Sequence, residues 1–209
     1  MSFVGLGLRA LKGGAAAVGV ALERGEPRFV FSRFLATSAE GDRLSLEPYR
    51  VAAESKRHPL GGPSAEAVAA VAAGRRRQAR LAVEASRAII HELAEMGCTP
   101  VVAALLVNRT GWITDVLEYG LSWPEHIPVA EGRAVRDALR FAFAKCRVAV
   151  VELDEKSLPD SAAHSLRMTP AALAARLKAL GATAGRPWRK EQKLAYLAAW
   201  VALTGAAKR

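Results

Sequence analysis

Cysteine is nearly absent: the 209 residues contain only Cys98 and Cys146. Two thiols exclude a disulfide scaffold, and they cannot form a four-ligand zinc site on their own. So sparing a use of cysteine implies a reducing cytoplasm. Histidine is also scarce. His58, His91, His126 and His164 are widely spaced and make no HExxH pattern, so no metal site is expected from them. No serine sits in a G-x-S-x-G elbow and no G-x-x-x-x-G-K-[ST] phosphate loop is present. Gly5-x-Gly7 is a lone glycine pair inside a strand-like segment and carries no nucleotide meaning. No apolar run approaches the roughly 20 residues that a membrane helix requires. Gly13 to Leu22 is small and apolar enough to imitate a signal-peptide core, but Arg9 and Lys12 interrupt the run and no charge precedes Phe3. The expectation is a cytoplasmic chain with no membrane partner.

Acidic residues are outnumbered. Thirty Lys and Arg face 20 Asp and Glu, a formal charge of +10, and the sequence pI is about 10.2. Such a balance points to anionic partners, nucleic acid above all, although arginine-rich solvated faces would give the same number. With 51% apolar residues the chain can bury a core and is not disordered. Its length suits one domain over residues 1–209.

Phe3 to Leu11 reads as a strand, Lys12-Gly13-Gly14 as a tight turn, and Ala15 to Leu22 as the returning strand. Glu23 to Pro27 is turn chemistry before a third antiparallel strand, Arg28 to Leu35. Residues 38–63 are polar and broken by Pro48, Pro59, Gly61, Gly62 and Pro63, which predicts an irregular excursion with at most a short helical turn. Ser64 is an N-cap signal, and a long alanine-rich helix runs from it to Met96, stopped by Gly97. Within it Leu81, Ala85, Ala88 and Ile89 share one face, while Arg76, Arg80 and Arg87 cluster on another.

Thr99 to Val107 has the continuous valine and leucine content of a strand covered on both faces. An irregular, aromatic segment follows, then a helix over Glu131 to Lys145, a second buried-type strand over Arg147 to Leu153, a helix over Pro170 to Leu180 and a last helix from Trp188 to Leu203. Right-handed crossovers then set the first strand and the two later ones parallel at the sheet centre.

This order resembles the ribonuclease H-like superfamily, most nearly the RuvC-type Holliday-junction resolvases. The resemblance covers most of the chain. It rests on element order, on the helix, proline-containing turn and buried strand over Leu81 to Val107, and on Glu191-Gln192-Lys193-Leu194-Ala195, which is similar to the family's Asp-x-x-Asp-Ala. It implies an α/β fold with a mixed five-stranded sheet, three antiparallel strands then two parallel ones, with helices on both faces. It also implies a phosphodiester-cleaving site in which carboxylates hold two divalent metals. The sequence departs from that site. Arg9-Ala10-Leu11 stands at the first-strand position, Leu105-Leu106-Val107 on the fourth strand, and Leu194 one turn after Glu191. One carboxylate in four cannot hold two magnesium ions, and Arg9 would repel them.

Three functions follow as expectations. The first is a non-catalytic protein binding nucleic acid, or a nucleic-acid-processing partner, with no cofactor. Its candidate contacts are Arg76, Arg80 and Arg87, and Arg186, Arg189, Lys190 and Lys193 around Trp188, where stacking and charge would cooperate. The second is a divergent nuclease using Mg or Mn on Glu191 with Asp154 or Glu155. The third is an assembly module docking a protein partner through the Trp112 to Trp123 loop. A ligand site is expected where open α/β sheets place theirs, at Asn108, Arg109, Trp112, Asp115, His126 and Glu131, beyond the central strand. Each candidate has a plain alternative: the aromatics pack a loop, the acids cap helices, and Trp188 anchors to the core.

Overall fold

The protein is described here by a computed structural model over residues 2–55, 62–108, 112–185 and 188–206. Strand β1 (Ser2–Leu11) turns through Gly13, held at φ 73°, into β2 (Gly14–Glu23), which is buried along most of its length. The third strand, β3 (Glu26–Ala36), pairs antiparallel with β2 on its other side. Across β1 lies β4 (Cys98–Val107), parallel to it, and β5 (Ala149–Asp154) is parallel to β4. The sheet order β3-β2-β1-β4-β5 is the one the resemblance implies.

Strand side chains alternate between two hydrophobic layers. Ala103 and Leu105 face α3 (Ala65–Glu95) and α5 (Ile127–Lys145), whose Leu93, Leu139 and Phe143 fill that side. Ala104 and Leu106 face α8 (Lys190–Ala206), backed by α6 (Leu158–Ser165) and α7 (Pro170–Thr183). Helices thus cover both faces, as expected of this α/β class.

Helix α3 begins at its Ser64 cap, which accepts from the Ala67 N–H at 3.2 Å, and ends before Gly97 at φ 69°. Its buried stripe, however, runs through Gln78, Ala82, Ser86, Ile89 and Leu93, and Ala88 is exposed. Small polar residues occupy core positions that a hydrophobic count overlooks.

Three other expectations are corrected. The excursion is not irregular throughout: α1 (Arg43–Leu46) and α2 (Pro48–Ala53) fold onto α3, with Tyr49 and Ala52 buried. Gly74 of α3 admits the contact, because a methyl there would lie 2.4 Å from Leu44 O and 2.5 Å from Pro48 Cβ. The Gln78 amide donates to Ser45 O at 2.9 Å. Residues 56–61 of the excursion lie outside the described residues. Helix α5 starts at Ile127 rather than Glu131, with Pro128 in its first turn, where a missing N–H costs nothing. Helix α6 is additional, starting just after Ser157. No helix among the described residues is long and apolar enough to cross a membrane.

Candidate functional site

The carboxyl ends of β1, β4 and β5 share one edge, with Arg9 opposite Leu106, Leu106 opposite Leu153 and Val107 opposite Asp154. Glu155 extends it, its N–H donating to Val107 O at 2.9 Å. The N-terminal turn of α8 reaches the same edge because the helix lies directly on β1. Gly7 has no side chain there: a methyl would sit 1.7 Å from Ala195 O.

Arg9 is the centre of this edge. Its Nε and Nη2 donate to Glu155 Oε1 at 3.0 and 2.8 Å, and Nη1 donates to Glu191 Oε1 at 3.3 Å. The three side chains are 18%, 18% and 29% exposed. Neighbouring charges are also engaged. Arg140 pairs with Asp137 at 2.6 Å and with Glu152. Asp154 Oδ1 accepts from Ser157 N and Oγ at 2.9 and 3.0 Å, just before α6. Beside them Arg136 donates Nε to Leu106 O at 3.2 Å, and burial pulls its guanidinium below the ordinary value.

Two divalent metals do not fit these residues. Glu155 and Glu191 converge as the divergent-nuclease expectation requires, but on a guanidinium that a metal would have to displace. Among the described residues no group of three or more His, Cys, Asp or Glu could hold an ion.

The ligand cluster expected beyond β4 is divided among separate local roles. Asp115 caps α4 (Val116–Ser122), accepting from Leu117 N at 2.8 Å and Glu118 N at 3.0 Å. Trp112 meets Tyr119 edge-on at 5.2 Å, and Tyr119 stacks on His126 at 3.9 Å. Trp112 and Trp123 remain 69% and 64% exposed. Asn108 is exposed, and Arg109 lies outside the described residues.

Glu131 faces α2 instead. Its Oε1 accepts from Tyr49 N at 2.8 Å and Arg50 N at 3.0 Å, while Oε2 is buried without a partner. Burial pushes its carboxyl from 4.5 up to about 7, against the two backbone donors. The folded protein therefore holds a proton that the unfolded chain releases between those values, so stability falls as pH rises from about 4.5 to about 7. Glu131→Gln keeps the acceptor and removes the charge. It should flatten that slope in thermal melts and raise Tm at pH 8 by roughly a few degrees. A lower Tm at pH 8 would show that the ionised carboxylate is needed.

The basic candidates separate too. Trp188 is half-buried: its indole donates to Leu177 O at 2.9 Å, and its ring meets Phe29 at 6.0 Å and Tyr196 at 5.8 Å, both edge-on. Arg189 and Lys190 are exposed, Lys193 is half-buried, and Arg186 lies outside the described residues. On α3, Arg76, Arg80 and Arg87 are all exposed, and only Arg80 has an acidic partner among the described residues, Glu84. Sequence reasoning missed Phe141 of α5, 47% exposed beside Arg76 and Arg80, with Lys145 5.4 Å from its ring centre. Its i,i+4 spacing was the available signal. Cys98 and Cys146 are free thiols.

No protein-family signature and no curated protein matches the chain. Solved structures do. The Thermus thermophilus RuvC structure aligns over 100% of this chain and 96% of its own, at TM-score 0.50 and 14% identity. The T. thermophilus RuvC in complex with Holliday junction substrate aligns over the same shares, at 0.49 and 13%. The first of these, with the strand order, defines the class as a ribonuclease H-like fold. Within that class the chain has the RuvC arrangement of a mixed five-stranded sheet.

Proposed function

We propose that the chain is a non-catalytic ribonuclease H-like protein that binds nucleic acid through its basic surface. The observation that carries this reading is Arg9 between Glu155 and Glu191, at the edge where the fold class places metal-binding acids. A guanidinium there satisfies both carboxylates and stands where the Lewis-acidic metals of a two-metal cleavage would be held. The formal charge of +10 supports the polyanion partner. Arg76, Arg80 and Arg87, with Phe141 beside them, offer phosphate contacts and one aromatic face.

Fluorescence anisotropy with single-stranded, duplex and four-way DNA and with RNA, over a salt series, tests it. Binding should weaken linearly in log salt, and no strand should be cut with or without manganese. Replacing Arg76 and Arg87 by serine together should reduce the slope by about 1–2 phosphate contacts. Absence of binding at low salt removes the reading. Manganese-dependent cleavage would establish the divergent nuclease instead.

The exposed Trp112 and Trp123 favour a second reading, a protein-docking surface. It predicts a defined protein complex that nuclease treatment leaves intact and that Trp123→Ser disrupts.

A further inference from the structure

Arg136 is a half-buried cation that forms no salt bridge among the described residues. Among the described residues its only hydrogen bond runs from Nε to Leu106 O, and Glu155 and Asp137 act on it only through space, being bonded to Arg9 and to Arg75 and Arg140. A half-buried guanidinium whose neighbouring acids are bound elsewhere keeps its Nη donors free for an anion that replaces water. Nη1 lies above Gly132, where a methyl group would come 3.5 Å from it. That glycine and Arg136 line one cavity of about 380 Å³ between the end of β1, α2 and α5.

The rest of the cavity has a consistent chemistry. Lys12 and Arg50 stand on its rim and share one carboxylate, Glu47, at 2.9 and 3.8 Å, while Arg43 bridges Glu47 and Glu54. Positive charge therefore exceeds negative around the opening. Glu131 enters the lining half-protonated near neutral pH and repels an anion less than an ordinary glutamate would. The walls between are apolar, Leu11, Ile127, Pro128 and Val135 among them. A volume in the range of small-ligand pockets, apolar walls and a few convergent cations suit an amphipathic anion.

We propose that this cavity binds the terminal phosphomonoester of a nucleotide, the phosphate on the cations and one face of the base against the aliphatic wall. Arg136 takes the phosphate bidentately, Lys12 and Arg50 close over it, and the base lies against the apolar wall. A phosphodiester inside a strand has no free end to insert, so the site selects termini. The nucleotide has two sources, a free mononucleotide or the phosphorylated end of a bound strand. The second rests on the nucleic-acid reading above.

Two titrations separate these sources. In the first, a short single strand bearing a 5′-phosphate, a 3′-phosphate or neither is titrated by anisotropy against the full chain and against Arg136→Met and Lys12→Ser. One phosphorylated end should bind about 10-fold tighter than the unphosphorylated strand, a preference worth about 1.4 kcal/mol. Arg136→Met should abolish that preference with melting unchanged or raised, and Lys12→Ser should reduce it several-fold. In the second, AMP and inorganic phosphate are titrated calorimetrically against the same proteins. AMP binding that Arg136→Met abolishes supports the free-nucleotide source, even if no strand binds and the nucleic-acid reading has failed. Strands that bind equally whatever their ends, together with no heat from AMP, overturn the cavity proposal and leave the nucleic-acid reading standing.

Discussion

Gly7→Ala is expected to leave no cooperatively folded protein. A methyl group on Gly7 would lie 1.7 Å from Ala195 O, 2.6 Å from Ala195 C and 3.0 Å from Ala199 N. All three are backbone atoms of one helix, so no rotamer change relieves the overlap. Either α8 lifts off β1 or the strand buckles, and both open the layer in which Ala195, Tyr196, Ala198 and Ala199 are buried. The expected cost exceeds about 4 kcal/mol, a large part of the roughly 5–15 kcal/mol that a domain possesses. Gly205→Ala, also in α8, is the control. Nothing lies within 4 Å of its added methyl, so it should be neutral or stabilise by up to about 1 kcal/mol. Circular dichroism melts of the two variants decide the matter. A Gly7→Ala protein that melts within a few degrees of the parent would mean that α8 is not held by backbone contact.

The same contact explains how Glu191 reaches Arg9. Gly5 faces Ala199 and Gly7 faces Ala195, so each step of two strand residues matches four helix residues. Those rises are about 6.7 Å and 6.0 Å. One more step brings Arg9 opposite Glu191, where the hydrogen bond is found.

Local pattern carried the sheet. The valine and leucine run of β4, the Lys12-Gly13-Gly14 turn and the Ser64 and Gly97 signals are all short-range, and each element they mark is present. What stayed hidden depends on distant partners. Pro48 reads as a helix breaker in isolation, but it starts α2 because Gly74 of α3 leaves room for it, while Gln78 holds the preceding α1 through Ser45 O. Trp188 beside four cations reads as a stacking platform, whereas its contacts with Phe29, Tyr196 and Leu177 tie it to the core and leave it half-buried. Gly5-x-Gly7 is a lone glycine pair in the sequence, and its use as a seat for α8 rests on a helix 188 to 194 residues away. The sequence showed that Arg9 would repel metal ions. That Arg9 instead joins Glu155 and Glu191, 146 and 182 residues distant, required the fold.

Arg9→Met should destabilise the protein by roughly 2–3 kcal/mol. The change keeps the aliphatic stem and leaves two largely desolvated carboxylates facing each other without their cation. Most of the loss is then repulsion and unpaired charge rather than a forfeited attraction. Adding Glu155→Gln and Glu191→Gln to Arg9→Met should therefore recover more than half of it. Such recovery is the non-additivity expected of side chains sharing one network. Arg9→Asp is the sharper variant. It sets a third acid beside Glu155 and Glu191 and should be less stable than Arg9→Met without metal. Millimolar manganese should then raise its Tm, by about 2.7 kcal/mol of linked binding at 100 times Kd, while the parent protein does not respond. A response confined to Arg9→Asp would show that the guanidinium stands in a cation's place. If Arg9→Met melts like the parent, or Arg9→Asp ignores manganese, the edge is an ordinary surface ion network and the non-catalytic reading loses its physical basis.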